Sequence, residues 1–98
     1  MTLFPPSRVI AVDVDGTLIQ QGIMNQELLD WIRRQKSRGY LVMLWSARGA
    51  EYSQAAAKAS GAADLFDVIC GKPGYVVDDL GWTWIRHTKV ISDLDDLS

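Results

Sequence analysis

Apolar runs alternate with amphipathic ones along the chain. Arg8 to Val14 has a continuous apolar centre, Val9-Ile10-Ala11-Val12, which predicts a strand covered on both faces. Gly16 then allows the backbone a sharp departure. Thr17 to Met24, with Gln21-Gly22 as a turn signal, reads equally as a small hairpin or an irregular loop. Leu28, Leu29 and Ile32 recur at helical spacing and predict a helix with Asn25 as N-cap, running to about Arg38 and stopped by Gly39. Glu27 and Asp30 near its start and Arg33, Arg34, Lys36 and Arg38 near its end complement the helix dipole, so those bases read as a solvated helix end.

Tyr40 to Trp45 predicts a second buried strand, and the alanine-rich run Ala50 to Ser60, closed by Gly61, a second helix. Leu65 to Cys70 reads as a third strand, Gly71 to Gly74 as a loop, and Tyr75 to Val77 as a short fourth strand ending in Asp78-Asp79. Strand alternating with helix predicts an α/β domain, a Rossmann-like parallel sheet with flanking helices and right-handed crossovers. Beyond Leu80 the pattern weakens: Trp82 to Ile85 and Lys89 to Ile91 are strand candidates, and Asp93 to Ser98 an acidic tail. Trp31 and Trp45 read as packing residues and the lone His87 as a surface one, while Trp82 and Trp84 suit either an interface or a small core.

The 98 residues predict one domain, with 48% apolar and 22% charged residues, ordinary for a soluble globular chain. A net charge of -2 gives no broad electrostatic case for nucleic acid or an anionic membrane as partner. Cys70 is the single cysteine, so no internal disulfide forms, and it reads as a small buried hydrophobe. Met1 to Ser7 has no secretory pattern and no apolar run is long enough to span a bilayer, which makes a cytoplasmic location the expectation.

The candidate chemistry gathers at the predicted strand ends. Asp13 and Asp15 end the first strand, Ser46 and Arg48 the second, Lys72 follows the third, and Asp78 and Asp79 end the fourth. Asp13 and Asp15 flank Val14, so an extended backbone points both carboxylates the same way, and their mutual repulsion calls for a cation. Ligands of open α/β sheets bind at the carboxyl ends of the strands. Carboxylates without a cysteine-histidine cluster suit a hard ion, Mg²⁺ rather than Zn²⁺, and Ser46, Arg48 and Lys72 suit phosphate oxygens. Together these groups suggest phosphoryl transfer.

"DVDGT" (Asp13 to Thr17), the serine closing "LVMLWSAR", "GKP" with Lys72, and "VVDD" with Asp78 and Asp79 resemble motifs one to four of the haloacid dehalogenase superfamily, in that order. The resemblance covers about residues 8–80 and leaves 81–98 as a C-terminal extension. It implies that Asp13 is the nucleophile, forming an aspartyl-phosphate, and that Asp15 protonates the leaving oxygen and then activates water. It implies further that Ser46 and Lys72 bind the phosphoryl group, with Arg48 as a substrate contact, and that Asp13, Asp15 through its backbone carbonyl, Asp78 and Asp79 form the Mg²⁺ site. An acid at Asp15 places the resemblance in the phosphatase branch. Neither inter-motif gap has room for a cap domain, so the implied enzyme is a minimal, capless one acting on a phosphorylated small molecule or macromolecule. An open site of this kind leaves self-association into a homo-oligomer worth testing.

Each motif also has a plain structural reading: a turn at Asp15-Gly16, a helix cap at Ser46, a surface loop at Lys72-Pro73-Gly74, and solvated acids at Asp78-Asp79. An EF-hand fails on spacing, because Gly16 at loop position six puts Gly22 at position twelve. A bacterial receiver domain needs an aspartate ending its third strand, where this chain has Cys70. The competing function is a non-catalytic metal-binding or scaffold protein on the same fold.

Overall fold

The computed structural model describes residues 6–97; the reading of residues 1–5 as free of a leader, and of Ser98 as part of an acidic tail, lies outside them. They form two compact units, 8–72 and a second holding 73–97 with Pro6 and Ser7. The first is a small α/β domain. It contains β1 (Val9–Asp13), a short hairpin of β2 (Ile19–Gln20) and β3 (Ile23–Met24), α1 (Gln26–Ser37), β4 (Leu41–Ser46), α2 (Ala50–Ser60) and β5 (Val68–Gly71). The larger sheet has three parallel strands in the order β1-β4-β5.

Local chemistry accounts for the element ends. Asn25 Oδ1 accepts from the Leu28 N–H at 3.1 Å, and Asn25 Nδ2 donates to the Thr17 carbonyl at 3.2 Å, so one side chain caps α1 and ties it to the preceding loop. Gly61 closes α2 in the left-handed conformation. Between α2 and β5 the chain makes a 3-10 turn at Ala63–Leu65. The third strand therefore begins at Val68 rather than Leu65.

The chain crosses the sheet in one direction, from β1 to β4 to β5, so right-handed crossovers put α1 and α2 on the same face. Burial follows this arrangement. Val12, Val42, Leu44 and Ser46 are buried, whereas Val9, Leu41 and Val68 are 49%, 56% and 47% exposed. The expected coverage of the strands on both faces is corrected: one face carries the core, and the other is part-exposed. Leu28, Leu29, Trp31 and Ile32 of α1 and Ala56 and Ala57 of α2 are buried, each large apolar side chain contributing about 1.5–3 kcal/mol. The expected packing role of Trp31 holds, while Trp45 and Cys70 are half-buried.

Ser53 is fully buried on α2, and its Oγ donates to the Cys70 carbonyl at 2.9 Å, tying helix to strand. At the same junction a Cβ on Gly71 would stand 3.1 Å from Gly49 Cα, so the β5 end and the start of α2 approach with no side chain between them.

In the second unit, residues 75–77 form no strand, and the Tyr75 and Val77 side chains are almost wholly in solvent. Trp82 lies in a 3-10 helix, Gly81–His87, rather than a strand, and residues 89–91 have no regular structure. A second 3-10 helix, Leu94–Leu97, occupies the expected acidic tail. Trp82 is 67% exposed and His87 is half-buried; the side chain of Trp84 lies outside the described residues. Among the described residues no helix is long and apolar enough to cross a membrane.

Lys36, read above as part of a solvated helix end, instead joins a connection between α1 and the sheet. Asp67 Oδ2 accepts from Lys36 Nζ and from the Val42 N–H, both at 2.8 Å, while the Asp67 N–H donates to the Val42 carbonyl at 2.8 Å. The Lys36 hydrogen bond, then that of Val42, holds the Asp67 carboxyl below its ordinary value. A depressed native value adds stability above the unfolded value, about 3.9, and that stability is lost as pH falls through the native one. Asp67→Ala is therefore expected to cost about 1 kcal/mol at neutral pH, a melting-temperature loss of about 5 °C. Thermal unfolding of both proteins as pH falls below about 4 should show the gap closing; a pH-independent gap would place the loss elsewhere.

Candidate functional site

Parallel strands share one polarity, so the carboxyl ends of β1, β4 and β5 lie along a single edge. The register sets Asp13 opposite Trp45 and Ser46 opposite Gly71, with Lys72 next in the chain. The Lys72 N–H donates to the Ser46 carbonyl at 2.9 Å, extending the ladder by one step. Lys72 Nζ then comes within 3.2 Å of Asp13 Oδ1, their side chains 40% and 34% exposed. The cation that the acidic pair calls for thus comes, at Asp13, from the end of a strand two positions across the sheet.

Asp15 stands beyond β1, where Gly16 turns the chain at a φ of +78°. The Gly16 N–H donates to the Ile19 carbonyl at 2.8 Å and the Ile19 N–H to the Val14 carbonyl at 3.0 Å, which fixes the backbone on either side of Asp15. Its carboxylate has two partners. Tyr52 donates its hydroxyl to Oδ1, and Arg48 Nη1 lies 3.6 Å from Oδ2. The Arg48 guanidinium also sits 3.9 Å from the centroid of the Tyr52 ring, within the range of a cation–π contact. The hydrogen bond to Asp15 and, after it, desolvation push the Tyr52 hydroxyl above its ordinary value, opposed by the positive Arg48. Tyr52 therefore remains a donor at neutral pH.

Ser46 is buried, and its Oγ accepts from the Arg48 N–H at 3.0 Å. Its carbonyl also accepts from the Gly49 N–H at 3.1 Å, so this residue shapes the turn that leads into α2. The helix cap read for Ser46 is corrected, because Gly49 is the N-cap of α2 and the Ser46 side chain bonds within the preceding turn; the hydroxyl keeps its own proton to donate.

The structure thus brings Asp13, Asp15, Arg48, Ser46 and Lys72 to the strand ends of one unit. Asp78 and Asp79 belong to the second unit, where Asp78 Oδ1 accepts from the Leu80 N–H at 2.8 Å and both residues are exposed. Among the described residues no three His, Cys, Asp or Glu side chains form a group that could hold a metal. Within 8–72 the oxygen donors in the site are the pair Asp13 and Asp15. Mg²⁺ commonly takes one or two protein carboxylates, so the Asp13 carboxylate with the Asp15 backbone carbonyl fits it and leaves the Asp15 side chain for proton transfer.

Tyr52 is the residue the sequence reading missed. The signal was a lone aromatic in the first turn of an alanine-rich helix, four positions after Arg48. Comparisons with protein-family models, with curated proteins and with solved structures find no match.

Partly exposed ion pairs contribute little to stability, typically about 0.2–1 kcal/mol. Asp13→Asn and Lys72→Ala are accordingly expected to fold with wild-type cooperativity, and a double-mutant cycle by urea unfolding should give a coupling below about 1 kcal/mol. A coupling several times larger would make the pair a structural strut.

Proposed function

We propose that this chain is a capless, Mg²⁺-dependent phosphatase of the haloacid dehalogenase type, hydrolysing a phosphate monoester through an aspartyl-phosphate on Asp13. The single observation that carries this reading is the pairing of Asp13 with Lys72 across the ends of β1 and β5, beside Asp15. A surface turn has no need of a lysine from a distant strand. A nucleophilic carboxylate that must approach an anionic phosphoryl group does, because Lys72 offsets the repulsion between them. The parallel order β1-β4-β5 is also compatible with the Rossmann-like sheet the resemblance implies.

In this mechanism an Asp13 oxygen attacks phosphorus and the bond to the ester oxygen breaks. Asp15 gives its proton to that departing oxygen. Water then attacks the aspartyl-phosphate, Asp15 takes the proton from the water, and the acyl-phosphate bond breaks to return Asp13 and release inorganic phosphate. Lys72 and the Ser46 hydroxyl hold phosphoryl oxygens, and Arg48 contacts the substrate from the turn after β4. The Asp13 carboxylate and the Asp15 backbone carbonyl would hold Mg²⁺, which when bound supplies Lewis-acid polarisation of the phosphoryl oxygens.

Release of inorganic phosphate from a panel of phosphorylated metabolites, polymers and a simple aryl phosphate, with and without magnesium, tests the reading. Asp13→Asn should abolish turnover, and Asp15→Asn should lower it ~10²- to 10⁴-fold. Acid-quenched wild type should carry covalent phosphate on Asp13. Wild type and Asp13→Asn equally inactive across the panel would favour the scaffold function instead.

A further inference from the structure

Asp15 has two carboxylate oxygens, and the structure treats them differently. Oδ1 receives the hydroxyl of Tyr52. Oδ2 faces Arg48 Nη1 at 3.6 Å, too far for a hydrogen bond. The oxygens of a free carboxylate exchange by rotation about the Cβ–Cγ bond, so something must decide which of them meets the substrate.

We infer that Tyr52 is a positioning residue that locks Asp15 with Oδ2 as the oxygen that carries the proton. This rests on the phosphatase reading and goes beyond it, since none of the motif residues supplies such a lock. The case is geometric. Tyr52 reaches Asp15 from α2, a helix held at that point by the buried Ser53, whose Oγ donates to the Cys70 carbonyl at 2.9 Å, with the Gly49 carbonyl sharing that proton at 3.2 Å. The hydroxyl of Tyr52 thus has a fixed mount. Its ring carries Arg48 at 3.9 Å, which keeps the guanidinium beside Oδ2.

With Oδ1 occupied as an acceptor, a proton on the carboxyl group belongs to Oδ2. In the first step that proton passes to the ester oxygen as the phosphorus–oxygen bond breaks, leaving a carboxylate. In the second, Oδ2 takes a proton from the attacking water. Tyr52 gains and loses nothing in either step; it holds the group that does.

This role has a readout that a merely structural one lacks, because proton delivery matters only where the departing oxygen is basic. An alkyl phosphate needs the proton, whereas a nitrophenyl phosphate leaves without it. Tyr52→Phe removes the hydroxyl and keeps the ring under Arg48. It is expected to lower kcat/KM, which reports phosphoryl transfer to Asp13 and not the later hydrolysis common to both substrates, about tenfold for an alkyl phosphate and less than about twofold for nitrophenyl phosphate. The melting temperature should stay at the wild-type value, and a carboxyl carbon NMR signal of Asp15 should show the loss of its donor. Equal losses on both substrates, or none on either, would overturn the inference. Wild type inactive on both, and indistinguishable from Asp13→Asn, would end the phosphatase reading and the proton-carrying role with it; a changed Asp15 signal in Tyr52→Phe would still establish the hydrogen bond between the two side chains in solution.

Discussion

Two carboxylates two residues apart at the end of β1 cannot be left uncompensated, and the domain meets that constraint with cations drawn from elsewhere in the fold. Asp13 takes Lys72, one residue past β5, and Asp15 takes Arg48, two residues past β4. Neither cation is close to its acid in sequence. Each arrives because parallel strands end at the same edge, so the ladder that builds the sheet also sets the charge balance of the site. The Lys72 N–H bond to the Ser46 carbonyl is the last step of that ladder and the first element of the site.

The junction between α2 and β5 makes this arrangement rigid. Gly49 and Gly71 let two backbones meet, and the buried Ser53 hydroxyl bonds across the gap. Helix α2 therefore begins at a fixed height relative to the strand ends, with Arg48 just before it and Tyr52 in its first turn. A side chain at Gly71 would push apart the pieces that carry Lys72 and Tyr52, and one at Gly49 would be strained by its φ of +104°. Packing and chemistry meet in these few residues, which also explains why the Ser53 hydroxyl is fully buried.

Much of this was legible in the residues, and the misses share a cause. Helix α2 has the expected bounds, Asn25 caps α1 as read, and β1 and β4 lie within one residue of expectation, because periodicity and capping are local properties. The strand-end positions of Asp13, Ser46 and Lys72 followed from those elements. Misreadings arose where a partner decides the outcome. A continuous apolar run suggested strands covered on both faces, but coverage depends on the direction in which the chain crosses the sheet, which no single strand encodes. The strand-prone run Tyr75-Val76-Val77 makes no ladder, because such propensity expresses fit to a pleated, half-buried surface and these side chains are in solvent. Lys36 looked like any exposed helix-end base until Asp67 was set beside it. Tyr52 was invisible for the same reason, its partner Asp15 lying far back in the chain.

The exposure of the site bears on how it could work. Asp13 and Lys72 are only about two-thirds shielded from water, and Asp15 and Arg48 less so. Water weakens charge–charge interactions at such positions, so field strength alone would contribute less than in an enclosed pocket. Where enclosure is absent, orientation has to come from direct contacts among the site's own side chains. The stack of Arg48 on Tyr52, and the hydroxyl of Tyr52 on Asp15, form such a set, and they use a cation and an aromatic that keep their geometry in water better than a bare ion pair does. On the proposed phosphatase reading the open site and the Tyr52 contact are linked: such a site places a greater demand on the group that aims its acid, and α2 meets that demand from the edge of the same sheet that carries Asp13.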